Sequence, residues 1–105
     1  MPHTAIADAV QVVQVQPGAV VSKVIHRDED LDVTVFAFDA GEGLTEHTAS
    51  RPAIVQVLSG RLRLTVDGEV LDAGPGFWLH MRTGAPHALE AMESTIVLLT
   101  LVRPA

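Results

Sequence analysis

The sequence predicts an all-β fold, an antiparallel sandwich or barrel, and three observations support this prediction. Apolar and β-branched residues fall in short runs that Gly, Pro and Asp interrupt, with the spacing of about 8–12 residues that is typical of such folds. The stretch RLRLTVDGEV alternates polar and apolar residues as a hairpin with one buried face does. No segment shows a convincing helical period. With 105 residues, 48% of them hydrophobic, the chain is expected to form a single domain over residues 1–105.

The predicted strands follow the apolar runs in chain order, after an N-terminal arm of about residues 1–9. They are Val10–Val15, Ala19–Ile25, Asp32–Phe38, Ala53–Leu58, Arg61–Val66, Phe77–Met81, His87–Ala91 and Thr95–Val102. In the hairpin, Leu62 and Leu64 point to one face and Arg63 to the other. The dipeptide Asp67-Gly68 supplies the positive φ angles of a tight turn.

Composition argues against several classes of partner and chemistry. Seven basic and thirteen acidic residues give a net charge of −6, and there is no basic patch, so we do not expect nucleic acid as a partner. No apolar run reaches the roughly 20 residues of a spanning helix and no signal peptide is recognisable, so we expect a cytoplasmic protein that does not bind membranes. Cysteine is absent, which excludes disulfides, thiolate catalysis and cysteine-based zinc sites.

Two segments, VTVFAF and TIVLLTLV, are apolar on both alternating faces. A small sandwich cannot bury both faces of such strands within one chain, and large exposed apolar patches are rare on monomers. We therefore expect a homodimer in which a second subunit covers one face. The alternative is that the N-terminal segment, which contains the apolar stretch AVQVVQV, folds over the sheet.

The stretch from Gly41 to Ala91 resembles the two motifs of the cupin superfamily, whose members are small antiparallel jelly-roll β-barrels. The first motif corresponds to residues 41–60 and the second to residues 76–91. Six residues stand where the motifs have their glycines and two of their histidines: Gly41, His47, Gly60, Gly76, Gly84 and His87. Four positions differ from the motifs, because Ala49 replaces histidine, Ala53 glutamate, Arg82 proline and Ala91 asparagine.

In metal-binding cupins, the resemblance implies four ligands, of which this chain keeps His47 and His87. We therefore predict a reduced two-histidine centre, with Zn, Fe, Mn or Ni as the candidate divalent metal; two imidazoles fall below the usual three protein ligands. His80 is a candidate third ligand, although strand alternation turns it outward unless a bulge intervenes. Gln56 and the carboxylates Glu42 and Glu46 are the other candidates, Glu42 because it lies in a glycine-flanked loop.

Four further residues are candidates for contact with a small-molecule ligand. Arg82 stands at the predicted barrel rim beside His87 and suits a substrate carboxylate. Trp78 is an aromatic that could line the cavity, and alternation points Met81 into the barrel. Gln56 is a polar residue in an apolar run, suited either to a ligand or to a hydrogen bond at a subunit interface.

Two functional hypotheses follow. The first is a small-molecule-binding cupin with a two-histidine centre, and by resemblance any activity is of the dioxygenase, isomerase or decarboxylase kind on a small polar or carboxylated compound. The second is a non-catalytic, metal-free binding or sensing module. Retention of His47 and His87 favours the first, and the alanines at 49 and 53 favour the second.

Overall fold

A computed structural model describes residues 2–103, and these form the two antiparallel sheets that the sequence predicts. One sheet has the strand order β1-β2-β9-β4-β7 and the other β3-β8-β5-β6. The strands are β1 (Val20–Arg27), β2 (Leu31–Phe38), β3 (Gly43–Thr48), β4 (Ala53–Ser59), β5 (Leu62–Val66), β6 (Glu69–Ala73), β7 (Trp78–Met81), β8 (Pro86–Ala91) and β9 (Thr95–Val102). The all-β prediction is confirmed.

The main core lies between the two sheets, and strand alternation decides which residues enter it. Along β4, Ala53, Val55 and Val57 are buried, and along β5, Leu62 and Leu64 have no exposed surface. Because side chains of a strand alternate between its two faces, the intervening residues point away from this interior. The interior is therefore apolar along most of its length, which makes any polar group inside it conspicuous.

The predicted hairpin is confirmed. Strand β5 pairs with β6 across the turn Asp67-Gly68, where Val66 lies opposite Glu69. Both turn residues have positive φ angles, 49° at Asp67 and 80° at Gly68, as a two-residue hairpin turn requires.

The first predicted strand, Val10–Val15, is wrong. Residues Ala9–Val12 form a short 3₁₀ helix, and Asp8 caps it by accepting a hydrogen bond of 3.1 Å from the backbone N–H of Val10. The apolar side chains of this segment pack against Val35, Ala37 and Ile96 on the outer face of the five-stranded sheet. The N-terminal segment thus covers part of the second apolar face of β2 and β9, which is the alternative that the sequence left open. This four-residue helix is the longest that the structure describes between residues 2 and 103, and none there could cross a membrane.

Strand β3 was not among the predicted strands, and β6 was predicted only as the second arm of the hairpin. Strand β3, GLTEHT, has little apolar content, and its last four residues are exposed. It forms because β8 offers a partner edge, with Leu44 opposite Leu89 and His47 opposite His87. The position of His47 therefore depends on the pairing of β3 with β8 and not on an alternation of polar and apolar residues within β3.

Candidate functional site

Two histidines face each other across β3 and β8. His47 and His87 are directly opposite in the strand register, and their ring centroids are 4.0 Å apart with the ring planes at 61°. A bulge in β3 between Leu44 and His47 shifts the register just before the histidine, and bulges of this kind re-aim the side chains that follow. His87 is buried, whereas His47 is exposed on the strand at the sheet edge. The ring of His47 is therefore accessible to solvent, whereas the ring of His87 is buried in the interior.

Both rings are held in the same tautomer by the backbone. The Nδ1 atom of His47 lies 2.9 Å from the carbonyl oxygen of Thr45, and that of His87 lies 2.9 Å from the carbonyl oxygen of Ala85. A carbonyl oxygen only accepts hydrogen bonds, so each Nδ1 carries a proton and donates it. In the neutral ring Nε2 is then the basic nitrogen, able to accept a hydrogen bond, take up a proton or bind a metal.

The pair lies between two cavities. The inner cavity, of about 60 Å³, is enclosed and almost wholly apolar. Beside the histidines it is lined by Phe36, Phe38, Leu44, Val55, Leu64, Met81, Leu89, Val97 and Leu99. The outer cavity, of about 160 Å³, is lined by Thr48, Ala49, Ser50, Ala53, Met81, Leu99, Leu101 and the two histidines. The histidines, Met81 and Leu99 form the boundary that both cavities share.

Residues 47, 49, 53 and 87, the four positions of the motif ligands, all line the outer cavity. Two of them are alanines with 8% and 2% exposure, Ala49 and Ala53, and a methyl group supplies no donor atom. Among residues 2–103, no group of three or more His, Cys, Asp or Glu side chains is placed to share a metal ion. Two Nε2 atoms fall short of the three protein ligands that zinc and iron centres usually take. The residues present therefore do not fit the four-ligand centre of metal-binding cupins.

Three predicted site residues lie on the other face of the five-stranded sheet. Trp78 is exposed, and its ring centroid is 6.5 Å from that of His80. In the register of β4 and β7, Gln56 lies opposite Trp78. Leu79 and Met81 alternate with the two aromatics and pack on the main core, so Trp78, His80 and Gln56 point outward. These three residues are absent from the lining of both histidine cavities. They therefore do not contact a ligand or metal that is bound there.

Of the two remaining residues predicted to contact a ligand, Met81 lies at the histidine cavities and Arg82 does not. Met81 is buried and lines both cavities, as its place in the alternation of β7 indicates. Arg82 is exposed in the turn after β7 and lines neither cavity. Arg82, which was predicted as a cation at the barrel rim, thus does not contact the histidine site.

One charged group beside the site was not predicted. Asp32 is buried and accepts hydrogen bonds from three arginines: from Arg51 Nη2 at 2.6 Å, from Arg103 Nη2 at 2.9 and 3.2 Å, and from Arg27 Nε at 3.2 Å. The hydrogen bond from Arg51 is the largest cause that lowers the pKa of Asp32 from 3.8 to about 2. The sequence does carry a signal, because Asp32 shares the alternation of Phe36 and Phe38, which point inward. A carboxylate at an inward position requires cationic partners.

Comparison with known proteins agrees with this architecture. The family model described as "Cupin domain" matches residues 34–103. No protein with a curated function is significantly similar in sequence. A conserved protein of unknown function from Streptococcus pyogenes is 32% identical, with a TM-score of 0.87 over 100% of this chain and 92% of that one.

Two further solved structures are similar. A cupin 2 conserved barrel domain protein from Leptotrichia buccalis is 35% identical with a TM-score of 0.83, over 90% of this chain but only 46% of that one. KdgF from Halomonas sp. is 26% identical with a TM-score of 0.74, over 88% of this chain and 86% of that one. With the jelly-roll sheets, the paired motif histidines and the matching family model together, the chain belongs to the cupin family.

Proposed function

We propose that the chain binds a small organic molecule in the outer cavity, with the Nε2 atoms of His47 and His87 as its polar contacts. The observation that carries this proposal is the pair of Nδ1 hydrogen bonds to backbone carbonyls, which orients two basic nitrogens at one cavity. Side chains held by the backbone lose little freedom when a ligand binds, so preorganisation of this kind supports affinity.

The size and lining of the cavity indicate the class of ligand. A volume of about 160 Å³ favours a small compound as the ligand. Met81, Leu99 and Leu101 provide apolar walls, while Thr48 and Ser50 add hydroxyl groups. A compound with a short apolar part and one hydroxyl or carboxyl group suits this lining.

The proposed contact is direct and does not run through a metal. With alanine at positions 49 and 53, a divalent ion would depend on water or on the ligand for most of its coordination shell. Two imidazoles in contact bind a hydroxyl or protonated carboxyl group without help from an ion, because each Nε2 accepts a hydrogen bond while Nδ1 donates to its backbone carbonyl.

Proton transfer is a second candidate function. It is favoured by the position of His47, whose exposed ring contacts the buried ring of His87, so that one ring can take a proton from a bound ligand and the other can exchange with solvent. This arrangement suits an isomerisation by proton abstraction and return. Solvent deuterium appearing in a bound hydroxy or keto acid, measured by NMR, would distinguish it from simple binding.

The test of binding uses protein treated with EDTA and dialysed. We expect straight-chain alcohols and carboxylic acids of two to six carbons to produce saturable NMR shifts at Ala53 and Leu101. His87→Ala should weaken binding by about ten-fold or more, because a buried hydrogen bond is lost. His80→Ala, which removes a histidine from the outer face, is the matched control and should leave binding unchanged.

Two results would contradict the proposal. One is binding that requires added Zn²⁺, Mn²⁺, Fe²⁺ or Ni²⁺, which would assign the histidines to a metal. The other is saturable binding that survives His87→Ala at full affinity, which would place the ligand elsewhere.

A further inference from the structure

Arg27, Arg51 and Arg103 converge on the single carboxylate of Asp32, and these four residues are called the arginine cluster below. The cluster carries three positive charges and one negative charge, although the chain as a whole has a net charge of −6. Three of the seven basic residues of the chain therefore gather at one point. Local positive charge of this kind attracts anions even on an acidic protein.

Asp32 does not satisfy all the donors of the cluster. Each guanidinium has five N–H donors in a planar fork, while a carboxylate offers about four acceptor sites. Arg103 Nε is buried and has no hydrogen-bond partner among residues 2–103. Asp32 accepts four hydrogen bonds from the three arginines, which fills its acceptor sites and leaves further N–H donors of these guanidinium groups without a partner on this carboxylate.

The cluster adjoins the outer cavity through the strand register. Asp32 on β2 lies opposite Leu101 on β9, and Leu101 lies opposite Ala53 on β4. Leu101 and Ala53 both line the outer cavity, and neighbouring strands are about 4.8 Å apart. Arg51 directly follows Ser50, which also lines that cavity. Asp32, which binds the three guanidinium groups, thus lies on the strand next to the one whose Leu101 lines the cavity.

We propose that the arginine cluster is a carboxylate-binding subsite, at which Arg51 and Arg103 bind the carboxylate of a small organic acid whose apolar part lies in the outer cavity. This inference rests on the proposed function and narrows it from small polar compounds to organic acids. Arginine suits the role because its planar fork matches the two oxygens of a carboxylate. Leu99 and Leu101 form the apolar surface against which the carbon chain packs.

The experiment compares three probes, butyrate, n-butanol and inorganic phosphate, by NMR titration of the full chain. Butyrate should bind more tightly than n-butanol, and Arg51→Gln should weaken butyrate binding by about ten-fold or more while leaving n-butanol unchanged. Arg63→Gln is the matched control, since Arg63 is an exposed arginine of β5 outside the cluster and its loss changes the net charge equally. Phosphate should bind more weakly than butyrate, because it cannot use the apolar wall.

Asp32→Asn provides an independent variant that keeps all three arginines. Removal of the competing carboxylate should tighten butyrate binding, provided that thermal unfolding shows the variant folded; Arg103→Gln serves if it does not. Butyrate affinity that is equal in wild type, Arg51→Gln and Arg63→Gln would overturn the subsite, as would phosphate binding as tight as butyrate.

The same titrations separate this inference from the proposed function. If His87→Ala weakens binding of n-butanol while Arg51→Gln leaves butyrate binding unchanged, the histidine site stands and the subsite is overturned. If neither probe binds to the wild-type protein, both are overturned.

Discussion

At the scale of single residues, Asp32 has the most heavily charged surroundings of the site region. The hydrogen bond from Arg51 lowers the pKa of Asp32 to about 2, and Arg103 and Arg27 act in the same direction while burial opposes them. Because the folded-state pKa lies below the ordinary 3.8, the unfolded chain binds more protons than the folded one between these values. The stability that this carboxylate contributes is therefore complete above about pH 4 and is lost as the pH falls through about 2.

This pH window gives a prediction for Asp32→Asn. The variant should unfold at a lower temperature than wild type at pH 7, because three guanidinium groups lose their anion. The difference should shrink between about pH 4 and 2, where wild-type Asp32 becomes protonated and resembles asparagine. Thermal unfolding followed by circular dichroism at several pH values measures it. A difference that stays constant down to pH 2 would show that the charge of Asp32 is not its source.

A suitable comparison is Asp28→Asn. A hydrogen bond from His26, at 2.6 Å, is the largest cause that lowers the pKa of Asp28 to about 2. Asp28 thus loses its charge in the same pH window, but it is exposed and contacts none of the three arginines of the cluster. We expect a smaller effect on unfolding from this variant, since exposed ion pairs contribute little.

At the scale of elements, the turn between β4 and β5 depends on close approach of the chain before β9. Gly60 has a φ of 85°, and a Cβ there would lie 2.7 Å from Thr95 Cα and closer still to the carbonyl oxygen of Ser94. Buried Thr95 accepts a hydrogen bond of 3.0 Å from the backbone N–H of Arg61 and donates one of 2.7 Å to the carbonyl oxygen of Glu93. This turn therefore needs glycine for two reasons, its backbone angle and the space.

Gly68 shares the backbone angle of Gly60 but not its lack of space, so it isolates the effect of the angle. Its φ of 80° is nearly the same, but nothing lies within 4 Å of a Cβ built there. We expect Gly68→Ala to reduce the free energy of unfolding by about 1–2 kcal/mol through backbone strain alone. Gly60→Ala should add a packing penalty of about 1–3 kcal/mol to that strain. Urea denaturation of both variants measures the difference, and equal losses would contradict the crowding at Gly60.

The places of both histidines of the site were predicted from the motif resemblance, and the elements that carry them show how far local pattern supports each. In β8, His87 alternates toward the interior with Leu89 and Ala91, which pack on the main core. His47 belongs to β3, whose residues carry no apolar period and whose bulge depends on pairing with β8. The motif resemblance supplied its place in the barrel, since local pattern alone did not.

At the scale of the whole molecule, the outer face of the five-stranded sheet is covered unevenly. The N-terminal segment packs on Val35, Ala37 and Ile96 of β2 and β9. Farther along the same sheet, β7 is the edge strand of the described residues, and Trp78 is 57% exposed beside His80. An exposed aromatic on an edge strand favours contact with another chain.

The homodimer expected from the sequence therefore stays a prediction. We expect its interface to lie on the face of the five-stranded sheet that bears Trp78. We expect sedimentation equilibrium at micromolar concentration to show a dimer for wild type and a monomer for Trp78→Ser. Val70→Ser is the matched control, because Val70 is 64% exposed but lies on β6 of the other sheet. A wild-type monomer, or equal association of both variants, would contradict this dimer.

The all-β class, the hairpin at Asp67-Gly68 and the inward position of Met81 follow from the sequence, because strand alternation and turn chemistry are local properties. The place of His87 was predicted from the motif resemblance. Tertiary structure alone decided three other features. The N-terminal segment became a 3₁₀ helix on a sheet face, since apolar residues can be buried in more than one local conformation. Strand pairing brought His47 to His87, and the strand register gathered three arginines, distant in sequence, around Asp32. Contacts between residues far apart in the chain depend on register and topology, which no local pattern encodes.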